Sequence, residues 1–179
     1  MKNLLILFSI ILFVNCHSQT QQELDSLDKK WSEEFNQYVI KNNKRIVSQV
    51  NIDSLETILI NKINSLRLDS GLVILTKNGS LSNYADNWSV NMSNKNKLYH
   101  SDIKNNNIFA ENVYGLKSFG SFPMEKKFVL TQANVIFDSW VSSKYHKRNM
   151  LLPNINEIGI SILFLPDGMI DVYGTMVVN

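Results

Sequence analysis

Between Leu4 and Val14 every position except Ser9 is apolar, and only then do the apolar residues become periodic. Leu24, Leu27, Trp31, Phe35 and Tyr38 recur at three- and four-residue steps, which predicts a helix with one apolar stripe. The polar stretch Lys41-Asn42-Asn43-Lys44-Arg45 then reads as a linker or a solvated end. Asp53-Ser54-Leu55-Glu56 has capping-box spacing, and Leu55, Leu59, Ile63 and Leu66 continue it as one helical face that stops at Gly71. A second helix is predicted over about 80–92, with Leu81, Ala85, Trp88 and Met92 along one side. A third is predicted over about 130–142, with Ala133, Ile136, Phe137 and Trp140. Two β-rich runs, 158–165 and 169–178, flank Pro166-Asp167-Gly168 and predict an antiparallel hairpin.

The resulting order is helices, an irregular middle with one short strand, a helix and a hairpin. Helices segregated from an antiparallel sheet give an α+β fold with helices on both sides. No glycine-rich turn follows a strand and no P-loop string occurs, so a nucleotide-binding α/β unit is excluded. The predicted organisation is an export signal over 1–18, a helical tether over 19–52, and one domain over 53–179. The tether is expected to be a spacer helix packing on that domain rather than a partner-binding helix.

Composition changes this picture at the N-terminus. The run behind Lys2 is too short to anchor a protein across a bilayer and fits an export signal. Phe13-Val14-Asn15-Cys16 resembles a loose lipobox that would make Cys16 a lipidation site, although Asn15 departs from the usual small residue. Cleavage after Ser18 is the alternative. The lipoprotein is favoured because the sole cysteine of the chain sits where a lipid would attach. The expected location is therefore the outer membrane or cell surface, with a periplasmic or secreted protein as alternative. Membrane contact would come only through the lipid. Cys16 has no partner for a disulfide. Net charge is +2 in 179 residues and the basic residues are dispersed, which argues against a nucleic-acid partner, and none is expected.

Once the export segment and its flank are set aside, His100 and His146 are the remaining histidines. Between them, Phe109-Ala110-Glu111-Asn112-Val113 embeds a carboxylate in an apolar run. Burying Glu111 is costly unless it is paired, and two histidines are available partners. His100, Glu111 and His146 together would supply two imidazoles and a carboxylate for Zn2+ with an open fourth position. They would equally supply a proton shuttle. Spacing alone leaves open the simpler reading, two independent structural histidines. Trp140 is read as core, Asn149 as an amide tying the loop after the helix to backbone, and Arg148 as a surface residue. Tyr99 and Tyr145 either line a cleft or sit half-buried at the surface.

These segments resemble, in order, the CAP superfamily of cysteine-rich secretory, antigen 5 and pathogenesis-related 1 proteins. The resemblance rests on Ile63-Asn64-Ser65-Leu66-Arg67, Gly71-Leu72, Tyr99-His100-Ser101, Ala110-Glu111-Asn112-Val113 and Trp140 followed by His146-Lys147-Arg148-Asn149-Met150-Leu151. Glu157-Ile158-Gly159-Ile160 and the hairpin complete it. It implies a three-layer α-β-α sandwich with a central antiparallel sheet, and His100 and His146 facing each other across a cleft beside Glu111. Ser143 stands where many members have a second glutamate, Ala110 where glycine is usual, and Lys144-Tyr145 where Pro-Gly is common. The implied function is an exported, non-catalytic binding or interaction module with an unknown extracytoplasmic ligand or protein partner, and with Zn2+ as candidate cofactor. A metal-assisted hydrolase in which His100, Glu111 and His146 are catalytic is the first alternative, and lipid or sterol binding the second.

Overall fold

The computed structural model describes residues 21–48, 50–103, 108–118, 126–166 and 170–179. Cys16, the export segment and the hairpin turn at 167–169 lie outside the described residues. The chain divides into two compact units, one ending at Val39 and the other comprising Ile40–Asn179.

Helix α1 (Gln21–Val47) carries the predicted stripe, and its Leu27, Trp31, Phe35 and Tyr38 are exposed. Lys41–Arg45, expected as a linker or a solvated end, lies within this helix near its C-terminal end. None of those residues is glycine or proline, so the backbone has no reason to break there. Helix α2 (Ile52–Asp69) is capped by Asn51 rather than Asp53. Asn51 is extended, and its side chain accepts from Ser54 N, while Asp53 falls in the first turn and favours the helix dipole. At the other end Gly71, at φ +73°, takes the left-handed conformation that closes the helix.

Strand β1 (Thr76–Lys77) and helix α3 (Gly79–Asn94) follow, then β2 (Ala110–Ser118), α4 (Lys126–Ser142), α5 (Lys144–Met150), β3 (Glu157–Leu165) and β4 (Ile170–Val178). The sheet order is β1-β3-β4-β2. The predicted hairpin forms with Ile158 opposite Val178, and β2 pairs antiparallel with β4, Glu111 opposite Val177. The sheet is not wholly antiparallel: β1 joins β3 in parallel at the edge.

Alternation along the strands separates two faces. On one, Ala110, Tyr114, Ile158, Ile160, Ile162, Phe164, Val172, Met176 and Val178 join one core with Leu55, Leu59 and Ile63 of α2, Ala133, Ile136 and Trp140 of α4, and Met150 of α5. On the other, α3 contributes Leu81 and Ala85 beside Val177, and Met92 beside Val113 and Tyr173. Gly159 is required there. A Cβ at this position would strike the backbone of Leu81 and Ser82, so its absence lets α3 pack backbone to backbone on β3. The result is the three-layer sandwich, helices on both sides of the sheet.

Candidate functional site

The site forms at the start of β2, an outer strand of the sheet. Glu111 points to the α3 face and its side chain is 2% exposed. Its burial is met by three donors. Oε1 accepts from Ser101 N at 2.9 Å and pairs with His100 Nδ1 at 2.9 Å, and Oε2 accepts from Ser101 Oγ at 2.5 Å. Tyr84 of α3 donates in turn to Ser101 Oγ at 2.7 Å. A buried carboxylate so surrounded is stabilised as an acceptor and holds its donors in place. His100 thus sits on a fixed base although its side chain is 58% exposed.

His146 arrives from the other face. It lies beyond the helix predicted over about 130–142, which ends at Ser142, and within the further short helix α5, whose N-cap is Ser143; the Ser143 hydroxyl accepts from His146 N at 3.4 Å. The position compared above with a second glutamate therefore starts the turn that carries His146. Asn112 Nδ2 donates to His146 O at 3.0 Å, and Asn149 Nδ2 donates to Asn112 Oδ1 at 2.9 Å and Glu111 O at 3.1 Å. The Asn149 amide does tie backbone as expected, from inside α5 rather than from a loop. These bonds fasten α5 to β2 at the residues that carry Glu111. The two imidazole centres end 6.3 Å apart with planes at 59°.

Behind α5, Arg67 is fully buried and holds four carbonyls: Val73 O, Met150 O, Leu152 O and Ile155 O. It was given no role from sequence, yet it stands in phase with Leu55, Leu59 and Ile63 on the buried stripe. An arginine on such a stripe was the available signal. Desolvation lowers its pKa from the ordinary value. Trp140 is wholly buried as expected, and its Nε1 donates to Val113 O. Tyr99 packs edge-on against Trp88 and belongs to the α3-side core, whereas Tyr145 is exposed.

The chemistry of the pair is asymmetric. Burial, and secondarily the neighbouring His100, lower the pKa of His146, so its ring favours the neutral form. Among the described residues His146 Nδ1 is buried without a hydrogen-bond partner. As a preformed three-ligand zinc set the residues fit poorly. Two imidazoles sharing a tetrahedral zinc have centres roughly 5 Å apart, given Zn–N bonds of about 2.0–2.1 Å. Both Glu111 oxygens are already engaged by Ser101 and His100. Among the described residues no three His, Cys, Asp or Glu side chains are grouped to hold a metal ion. No described hydroxyl is paired with either imidazole as a nucleophile would be; Ser101 Oγ serves Glu111 instead.

The profile of the cysteine-rich secretory protein (CAP) family matches residues 60–177, which include the whole of this arrangement. Among solved structures, an outer surface protein from Borrelia burgdorferi is similar at TM-score 0.54 and 15% identity, over 73% of this chain and 96% of that one. BmVAL-1 aligns at TM-score 0.44 and 21% identity, over 59% of this chain and 58% of its own. A cysteine-rich secretory protein from Staphylococcus aureus aligns at TM-score 0.42 and 14% identity, over 72% of this chain and 39% of its own. No curated protein sequence matches significantly.

Proposed function

Because the chain belongs to the CAP, or cysteine-rich secretory protein, family, we propose that it is an exported binding module whose ligand engages the cleft between His100 and His146. The observation that carries this reading is the fully engaged Glu111. Its oxygens orient His100 and Ser101 rather than facing the cleft as a base or a ligand, which suits recognition better than turnover. The apolar run behind Lys2 supports export, and so does the name of the Borrelia relative, an outer surface protein. Lipidation at Cys16 would place the domain at a membrane surface on a helical tether. Among the described residues no helix is long and apolar enough to cross a membrane.

The metal-assisted hydrolase remains the second reading, favoured by one feature. A carboxylate behind an imidazole Nδ1 is the arrangement that orients ligating histidines in metal sites. An unbiased peptide library incubated with the protein, with and without zinc, separates the two. The binding module predicts no cleavage above that of the His100→Ala/His146→Ala variant, while zinc-dependent cleavage lost in Glu111→Ala would replace it with the hydrolase. Palmitate labelling of the full chain is expected to disappear in Cys16→Ala; labelling that persists would remove the lipid anchor at that residue.

A further inference from the structure

The two imidazoles are held in different ways, and the difference fixes what each can offer. The Oε1 atom of Glu111 accepts from the Ser101 backbone N–H, a group that can only donate, and it faces His100 Nδ1 at the same 2.9 Å. A carboxylate oxygen cannot donate, so an attractive contact requires the proton on Nδ1. In the neutral ring that leaves the His100 Nε2 lone pair as the free acceptor. His146 is the reverse case. Among the described residues its Nδ1 is buried with no hydrogen-bond partner. A proton placed there would be a buried unmet donor, at a cost of about 1–3 kcal/mol. Orphaned buried N–H donors are rarer than under-satisfied acceptors, and the neutral imidazole in water already prefers its proton on Nε2. The proton is therefore favoured on Nε2, which makes that nitrogen the donor of the neutral ring.

We propose that the cleft is an acceptor–donor pair, His100 Nε2 accepting and His146 Nε2–H donating, built for an uncharged group that both donates and accepts, a hydroxyl or an amide. A shared metal ion needs lone pairs from both rings, so this pair disfavours it for a reason separate from the ring spacing. A carboxylate would satisfy His146 but oppose the His100 lone pair, and an ammonium would do the converse. The lowered pKa of His146, caused by burial and by His100, is consistent with a neutral donor ring. This inference rests on the cleft being the ligand site, as proposed above, and names the ligand chemistry.

The test is long-range proton–nitrogen NMR on the isotope-labelled full chain, about two units above the ordinary histidine pKa of 6.5. The expected result is the Nδ1–H tautomer for His100 and the Nε2–H tautomer for His146. Acetamide should displace the ring signals of both residues, and acetate should displace them less. Zinc alone should leave the His146 signals in place. The same tautomer in both rings, or zinc moving both Nε2 signals together, would overturn the assignment. A two-histidine zinc complex would do so while preserving the cleft as the ligand site. Rings that respond to neither acetamide nor zinc would count against the cleft reading itself, and a His146→Gln variant that keeps the fold would show the His100 signals independently.

Discussion

The two faces of the sheet do different work. The face under α2, α4 and α5 carries the larger apolar core, with Trp140, Ile63 and Met150 fully enclosed and Arg67 and Asn112 among its buried polar groups. The face under α3 has two small apolar clusters separated by polar contacts: Ser89 with Thr175 at 2.9 Å, Ser161 with Asp86 at 3.1 Å, and the Tyr84–Ser101–Glu111 chain. Buried polar groups cost stability unless their bonds close, so the α3 face is the less forgiving of the two in geometry. The histidine pair draws on both. His146 is held by an element anchored in the apolar core, and His100 by the polar network opposite.

The comparison is broken most severely from the apolar side. Trp140→Ala should lower unfolding free energy by about 3–5 kcal/mol in chemical denaturation, the range for a large buried aromatic. Arg67→Met should cost about 3 kcal/mol or more, because four carbonyls lose their buried donor. On the α3 face Gly159→Ala should cost about 1–3 kcal/mol by overpacking and should loosen amide protection in α3 before α4 under hydrogen exchange. An equal loss of protection in α4 would show that the faces are not separable. Ser89→Ala should cost about 1 kcal/mol, since it leaves the Thr175 hydroxyl buried and unpaired.

A pH series sharpens the contrast with a smaller effect. The folded pKa of His146 is depressed below its ordinary 6.5, so below that value the unfolded chain binds the extra proton first. Stability from this group is present above pH 6.5 and is lost as pH falls toward the folded pKa. Glu56 acts with the opposite sign. Desolvation raises its pKa above 4.5 even though Lys77 lies 3.0 Å away, so its contribution falls as pH rises through the folded value. Urea midpoints of His146→Gln should therefore fall less than those of the original protein between neutrality and about pH 5.

The elements that rest on repetition were legible before the structure. Leu81, Ala85 and Met92 repeat at helical spacing and do face the sheet, and the two β-rich runs pair antiparallel as read. Glu111 was legible because a carboxylate inside an apolar run needs partners. Among its partners His100 was anticipated, whereas Ser101, and Tyr84 behind it, were not, since they come from a loop and a helix that carry no local signature of contact. Helix α5 escaped notice because one short turn sequence, mostly polar, shows no periodicity and relies on its cap and on Arg67 behind it. The choice of Asn51 over Asp53 as cap was equally hidden, because both side chains can accept and only the backbone conformation selects between them.

The central claim is that Glu111 fixes His100 opposite His146 across the edge of β2. Nuclear Overhauser contacts between the two imidazole rings, recorded for the original protein and for Glu111→Ala, test it directly. The ring-to-ring contact should be present in the first and absent in the second, with the backbone resonances of β3 and β4 unchanged. A contact that survives the loss of Glu111, in a protein still folded, would contradict it.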